Sequence, residues 1–427
     1  MLPINDNNMA EQPISSESNF EGAPETVQIS AQDVATAAVE VNFDNTEIAF
    51  ASKNDAQLRK QYWLFAMMNN PSLVGIGTSL VKMAFSLHLP VKTMVKYTVF
   101  EHFCGGENIA DCENTIRSLS RQHVGTILDY SVEGAENDES FDHTEKEIIA
   151  TIQKASLSLD VPFSVFKVTG LATLDLLIKV QEKKPLSEAE KQAFEKVRHR
   201  VDNICKAAYE KKVKILIDAE ETWIQDVIDD LAYEMMEKYN KEQPIVYNTY
   251  QMYVAKKLEQ LKKAYYYASM KNYYLGAKLV RGAYMEKERE RAKKMGYPDP
   301  IQPNKETTDK DFDAGLRFCV QNHRRIAICA GTHNEYSSYL LTVLMEKYKL
   351  PKNHPHFHFA QLYGMSDHIS YNLSAKGYNV AKYVPYGPVE KVMPYLIRRA
   401  EENTSVAGQS SREFSLVQKE VNRRKKA

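Results

Sequence analysis

Pro162-Phe-Ser-Val-Phe-Lys-Val168 and Val213-Lys-Ile-Leu-Ile-Asp-Ala219 are short runs rich in β-branched and aromatic residues, and the stretch between them reads as a helix. Ser187 and Glu190 stand three apart as a capping box, after which Phe194, Val197, Val201, Ile204 and Ala208 recur at the spacing of one helical face. Strand, helix, strand is therefore the local unit. Working outward, the same kind of run appears at Thr126-Ile-Leu-Asp-Tyr-Ser131, Ile245-Val-Tyr-Asn-Thr-Tyr250, Gly276-Ala-Lys-Leu-Val-Arg-Gly282, Arg325-Ile-Ala-Ile-Cys-Ala330, His356-Phe-His-Phe-Ala360 and Asn379-Val-Ala-Lys-Tyr-Val384. About eight strands separated by helices predict a closed α/β barrel of the (β/α)₈ type. A doubly wound open sheet would want a glycine fingerprint after its first strand. Only Gly75-Ile-Gly77 is available; it lacks a third glycine and falls in a helical region.

The remaining chain divides around this barrel. Residues 1–45 contain no Lys or Arg and no sustained periodicity, which predicts an acidic arm without order. Neither a basic transit peptide nor a secretory signal is expected there. Residues 46–122 read as a helical N-terminal region, with helices over Asp55 to Met68 and Leu73 to Leu87. The barrel occupies 123–405, and 406–427 is a basic C-terminal tail ending in Arg423-Arg-Lys-Lys426, expected to be solvated, with a membrane-surface contact as the alternative.

With 55 Lys+Arg against 56 Asp+Glu the net charge is −1, so a nucleic-acid partner is not expected. Five cysteines, an odd set without C-x-x-C spacing, point to a reduced, intracellular and cytoplasmic setting. The greasiest region, Tyr62 to Leu89, is broken by Asn69, Asn70, Pro71 and Lys82 and is not expected to span a membrane. The run His354-x-His356-x-His358 raises the question of a metal. It starts before the seventh strand or in its N-terminal half, away from the end where a barrel does chemistry, so no metal is assigned.

Barrel active sites lie at the C-terminal ends of the strands. Going round, those ends carry Glu133, Lys167, Asp218, Gln251, Arg281 to Tyr284, Thr332-His333-Asn334, Gln361-Leu362 and Tyr383. Taken singly, each has an ordinary explanation, as Asp218 could cap the next helix. Together they outline a charged, aromatic pocket. Tyr395, Arg398, Arg399 and Glu402 then fall at i, i+3, i+4 and i+7 on one helical face beside it. Paired arginines suit bidentate carboxylate recognition, and Tyr395 with Tyr383 could wall an apolar ring.

At this point the motifs resemble one family. Lys278-Leu-Val-Arg-Gly-Ala-Tyr284, Ile217-Asp-Ala-Glu220, Thr332-His-Asn334, Tyr383-Val-Pro-Tyr-Gly-Pro388 and Tyr395-Leu-Ile-Arg-Arg-Ala-Glu-Glu-Asn403 are similar to those of the proline dehydrogenases, in order, from about Asp129 to Asn403. The likeness is to the monofunctional branch. It implies a distorted (β/α)₈ barrel with an N-terminal helical arm and non-covalent FAD. It further implies oxidation of L-proline to 1-pyrroline-5-carboxylate, with electrons passed to a membrane quinone and a peripheral contact with the inner membrane. By the same resemblance, Arg398, Arg399 and Lys167 would bind the substrate carboxylate, and Asp218 would hold that cationic cluster. Tyr284, Leu362, Tyr383 and Tyr395 would enclose the ring, with Ala283 nearby, and Glu133 would be a gate pairing with Arg398. Gln251, Lys278, Val280, Gly282, Thr332, His333, Asn334 and Glu402 would surround the flavin.

Two features stand apart from the bifunctional and hydroxyproline-oxidising relatives. Lys278 stands where the bifunctional branch has an Arg, keeping the charge and losing the fork geometry. Tyr383 stands where hydroxyproline-oxidising relatives tend to carry something smaller, which favours proline. Another flavin barrel, such as a methylenetetrahydrofolate reductase, and a catalytically inert barrel recruited to membranes are the competing expectations.

Overall fold

The computed structural model describes residues 39–68, 92–132, 136–405 and 409–426. Eight parallel strands close in sequential order: β1 Val124–Tyr130, β2 Phe163–Phe166, β3 Lys214–Ile217, β4 Val246–Gln251, β5 Leu275–Val280, β6 Ile326–Gly331, β7 Phe357–Leu362 and β8 Val380–Tyr386. The seam is the longest pairing, running in register from Val124 against Val380 to Tyr130 against Tyr386. Such strands are buried on both faces, which is why they read as nearly continuous apolar runs.

Inward-facing side chains fill the barrel. Ile127, Phe163, Val165, Leu216 and Tyr247 on β1 to β4 face the smaller Ala327, Cys329, Ala360 and Ala381 on β6 to β8. The Phe163 and Tyr247 rings meet edge to face at 5.4 Å, so the lower half is packed core rather than a channel. Outward-facing residues join the helices in the main core. The helix Glu188–Glu210 carries the capping box at Ser187 and Glu190 and buries Val197, Val201, Ile204 and Ala208. His358 turns inward onto the Phe163 ring at 4.8 Å, whereas His354 and His356 precede β7 altogether.

A second cluster lies outside the barrel. Leu58, Leu64 and Phe65 of the helix Asp55–Met68 pack with Phe100, Phe103, Val392, Leu396, Leu416 and Val417. Leu416 and Val417 belong to a helix over Gln409–Lys426, which corrects the expectation of a solvated basic tail. The reason lies in the pattern: Glu413, Val417, Glu420 and Arg424 share one face. Glu420 is fully buried and ties down Arg423 and Arg424. Packing also begins before residue 45, since Phe43 is buried in the main core. The helix expected over Leu73 to Leu87 lies outside the described residues. Among those described, no helix is long and apolar enough to cross a membrane, and all five cysteines are buried thiols.

Candidate active site

The upper barrel interior is ionic. Asp218, directly after β3, is its hub: Oδ1 accepts from Lys278 Nζ of β5 at 2.6 Å, and Oδ2 accepts from the Tyr383 hydroxyl of β8 at 2.5 Å. Lys167, directly after β2, brings its ammonium to 3.6 Å from Asp218 and 3.4 Å from Asp129 of β1. Lys278 Nζ also lies 4.6 Å from the centre of the Tyr383 ring. Five strands thus deliver two carboxylates, two ammoniums and a phenol to one point.

Burial works against charge here, and the pairing overcomes it. Burial raises the Asp218 carboxyl, but Lys278, Lys167 and the Tyr383 hydroxyl hold it below the usual range. Lys167 is likewise penalised by burial, yet Asp129 and Asp218 lift it above an ordinary lysine. The Tyr383 phenol is driven well up by burial and then by Asp129 and Asp218, so it stays a donor. Tyr284, half-buried after β5, is pushed up by burial and Glu220 and pulled back by Lys167 and Arg398. That field places Arg398 and Tyr284 in the same neighbourhood as Lys167.

The penultimate helix, Val389–Ser405, covers one side. Tyr395 and Arg399 are buried on it, with the guanidinium 5.3 Å from the Tyr395 ring centre, while Arg398 is half-buried one position earlier. Leu362, at the end of β7, packs against the cluster that contains Tyr395 and the one that contains Tyr383. Glu133 lies outside the described residues, and so does the side chain of Glu402.

Residues 112–412 match the proline dehydrogenase family. The chain belongs to that family. It is 35% identical to "Proline dehydrogenase 1, mitochondrial" of Dictyostelium discoideum over 79% of this chain and 67% of that protein. Against the Caenorhabditis elegans protein of the same name the identity is 40%, over 61% of this chain and 42% of that one. Among solved structures, proline utilization A of Bdellovibrio bacteriovorus aligns with a TM-score of 0.67 at 18% identity, covering 88% of this chain and 40% of that chain, a likeness of fold. Family membership makes proline oxidation the activity to be set against this geometry.

The residues expected around a flavin, Glu402 apart, lie at the ends of β4, β5 and β6, and several hold the scaffold as well. Gln251 donates through Nε2 to the Glu220 carbonyl at 2.6 Å. Thr332 accepts from Arg281 at 2.6 Å and from the Asn334 N–H at 3.1 Å, and Asn334 caps the helix Glu335–Lys347 by accepting from Ser337 N–H at 2.9 Å. Val280 ends β5. Gly282 follows at φ +137°, where a Cβ would lie 2.3 Å from the Tyr253 ring, so glycine is demanded by the protein itself. Gly282 and Ala283 are exposed, which leaves bare backbone open to close approach. Amides, hydroxyls and cations beside exposed backbone are the donor set that a flat, acceptor-rich, anionic cofactor needs, so these residues fit a flavin nucleotide.

Sequence reasoning left four participants without a role, although Arg281 and Glu220 stood within its motifs. Asp129 partners Lys167, and its strand-end position in β1 was the available signal. Glu220, buried, accepts from Thr169 N–H at 3.0 Å and from the Thr169 hydroxyl, joining the β2 and β3 loops beneath Lys167 and Gln251. Arg281 spends its guanidinium on Asp309, Thr332 and Ser337 and stacks 4.4 Å over Phe312. Ser366, after β7, contacts His333 Nδ1 at 2.9 Å.

Proposed function

We propose that this chain oxidises L-proline to 1-pyrroline-5-carboxylate with FAD, opening proline catabolism, and hands the electrons to a membrane quinone. The observation that carries the reading is the Asp218 hub, with Lys167, Lys278 and Tyr383 around it, in a chain matched to the family across the whole barrel. When bound, the flavin supplies the two-electron acceptor for a hydride leaving C5 of the ring. Lys167, Arg398 and Arg399 clamp the substrate carboxylate, and Asp218 with Asp129 keeps Lys167 charged and aimed. Tyr383, Tyr395, Tyr284 and Leu362 wall the ring and exclude water, which fixes C5 in one orientation. Tyr383 is pinned by its bond to Asp218 and cannot turn aside for a 4-hydroxyl, so proline is preferred over hydroxyproline. Lys278, spent on Asp218, presents a point charge to the cofactor rather than a fork.

The test is the visible spectrum of the purified protein before and after anaerobic addition of L-proline. Flavin bands that bleach with L-proline and not with its enantiomer are the expected result. Bands that persist with proline yet bleach with another donor would overturn the substrate, and a colourless protein would overturn the cofactor.

A further inference from the structure

His333 follows β6, and its imidazole opens a line of buried contacts that runs to the far end of the chain. Nδ1 lies 2.9 Å from Ser366 Oγ. Glu413, in the helix Gln409–Lys426, reaches the same serine: its Oε1 accepts the Ser366 N–H at 2.9 Å and the Ser366 hydroxyl at 3.3 Å. Ser366 is 0% and Glu413 5% exposed, so bulk water does not compete. Ser366 also holds φ +52°, a left-handed conformation that a non-glycine residue keeps only where its surroundings enforce it. Here the double contact to Glu413 does the enforcing. Burial raises the Glu413 carboxyl, with Asp367 adding to it, while His368, the Ser366 N–H and Lys382 oppose the rise.

The direction of the line follows from counting protons. A serine hydroxyl carries one. Glu413 Oε1 already accepts from the Ser366 N–H, so a hydroxyl turned away from it would set two oxygen lone pairs against each other at 3.3 Å. The hydroxyl therefore donates to Glu413 and accepts from His333, which puts a proton on Nδ1. Burial, with Lys382 and Arg399 adding to it, lowers the imidazole to about 3, so the ring is neutral and Nε2 carries no proton.

We propose that Glu413 and Ser366 are positioning residues that fix His333 as its Nδ1–H tautomer, leaving Nε2 as an acceptor for a hydroxyl or imide N–H of the bound flavin nucleotide. A neutral acceptor selects a ribityl hydroxyl or the ring imide and turns away phosphate oxygens. The proposal rests on the flavin reading above, but the tautomer is a property of the protein alone.

Long-range ¹H–¹⁵N correlation spectra of histidine-labelled protein, with His333→Asn for assignment, read that tautomer with and without FAD. The wild type should show Nδ1 protonated. Glu413→Gln, which keeps an acceptor oxygen, should preserve it. Glu413→Leu should free the serine hydroxyl to donate to Nδ1, switch the ring to Nε2–H and weaken FAD binding about tenfold, the worth of one hydrogen bond. Should the leucine variant fail to fold, Ser366→Ala removes the same link without touching the helix, and it should abolish the Nδ1–H preference. Nε2–H in the wild type, or a tautomer unmoved in Ser366→Ala, overturns the proposal. A protein that binds no FAD would sink the functional reading while these spectra still decide the tautomer.

Discussion

Glu220 shows how a buried carboxyl that sequence reasoning left unassigned sets a property of the whole protein. Burial pushes it from an ordinary 4.5 up to about 7, the bonds from Thr169 opposing and Glu221 adding to the rise. Between those two values the folded chain holds a proton that the unfolded chain has released. Stability therefore falls as pH climbs through that window and levels off above it. The loss traced to this group is on the order of 3 kcal/mol. Glu220→Gln cannot ionise, so its melting temperature relative to wild type should rise steadily from pH 5 to pH 7.5 (about 4.5 to 7 being the active window). Parallel melting curves for the two proteins would show that the group titrates normally. Arg399 makes a different residue-scale case. Arg399 is buried with its guanidinium 5.3 Å from the Tyr395 ring centre, so Arg399→Met keeps an apolar stem in place and removes the charge together with that ring contact. The KM for proline should rise about 10- to 100-fold with flavin content unchanged. Unaltered proline kinetics would remove Arg399 from the carboxylate clamp.

At the scale of elements, legibility in the sequence followed burial. Each β run was visible because both strand faces are covered, which concentrates Ile, Val and Phe into short blocks such as Val213 to Ile217. The helix Glu188–Glu210 was visible because its cap and its apolar face agree. The helix Gln409–Lys426 was missed because its buried face is half ionic. Glu413 and Glu420 are inside because Ser366, Arg423 and Arg424 satisfy them; the two arginines lie one turn from Glu420, but Ser366 is 47 residues from Glu413, and a partner so distant leaves no periodic signal. The same distinction explains the site. Strand ends marked Lys167, Asp218 and Tyr383 as candidates, since barrel topology alone says where they converge. Asp129 and Glu220 carried no role in that reading, although Glu220 closes one of its motifs. What makes them part of the site is which loop they bond to, and that is set by tertiary packing. Arg281 stood inside the motif that carried the family resemblance, yet its nitrogens serve Asp309, Thr332 and Ser337, a structural duty that motif matching does not reveal.

For the whole molecule, the segment Asp44 to Asp55 and the helix Gln409–Lys426 are fastened to each other over the β7 and β8 side of the barrel. Arg424 donates to the Phe50 and Lys53 carbonyls and pairs with Asp55, and Arg412 joins Asp44 to Glu335. Lys53 in turn reaches Asp367, which also holds the fully buried Lys382 of β8 at 3.0 Å. The terminal helix is thus a strap whose loss uncovers both a leucine–valine patch and a set of buried charges. A chain ending at residue 408 should keep the barrel strands, since their pairing is closed without it. It should lose protection where the strap lay. In hydrogen exchange, amides of Thr46 to Leu58 and of the Tyr363 to Asp367 loop should exchange at least tenfold faster than in the full chain. Those of β2 to β5 should be unchanged. Uniform acceleration across all strands would mean the helix is integral to barrel stability rather than a strap over one side. No change at Thr46 to Leu58 would mean the N-terminal segment is held by the barrel alone.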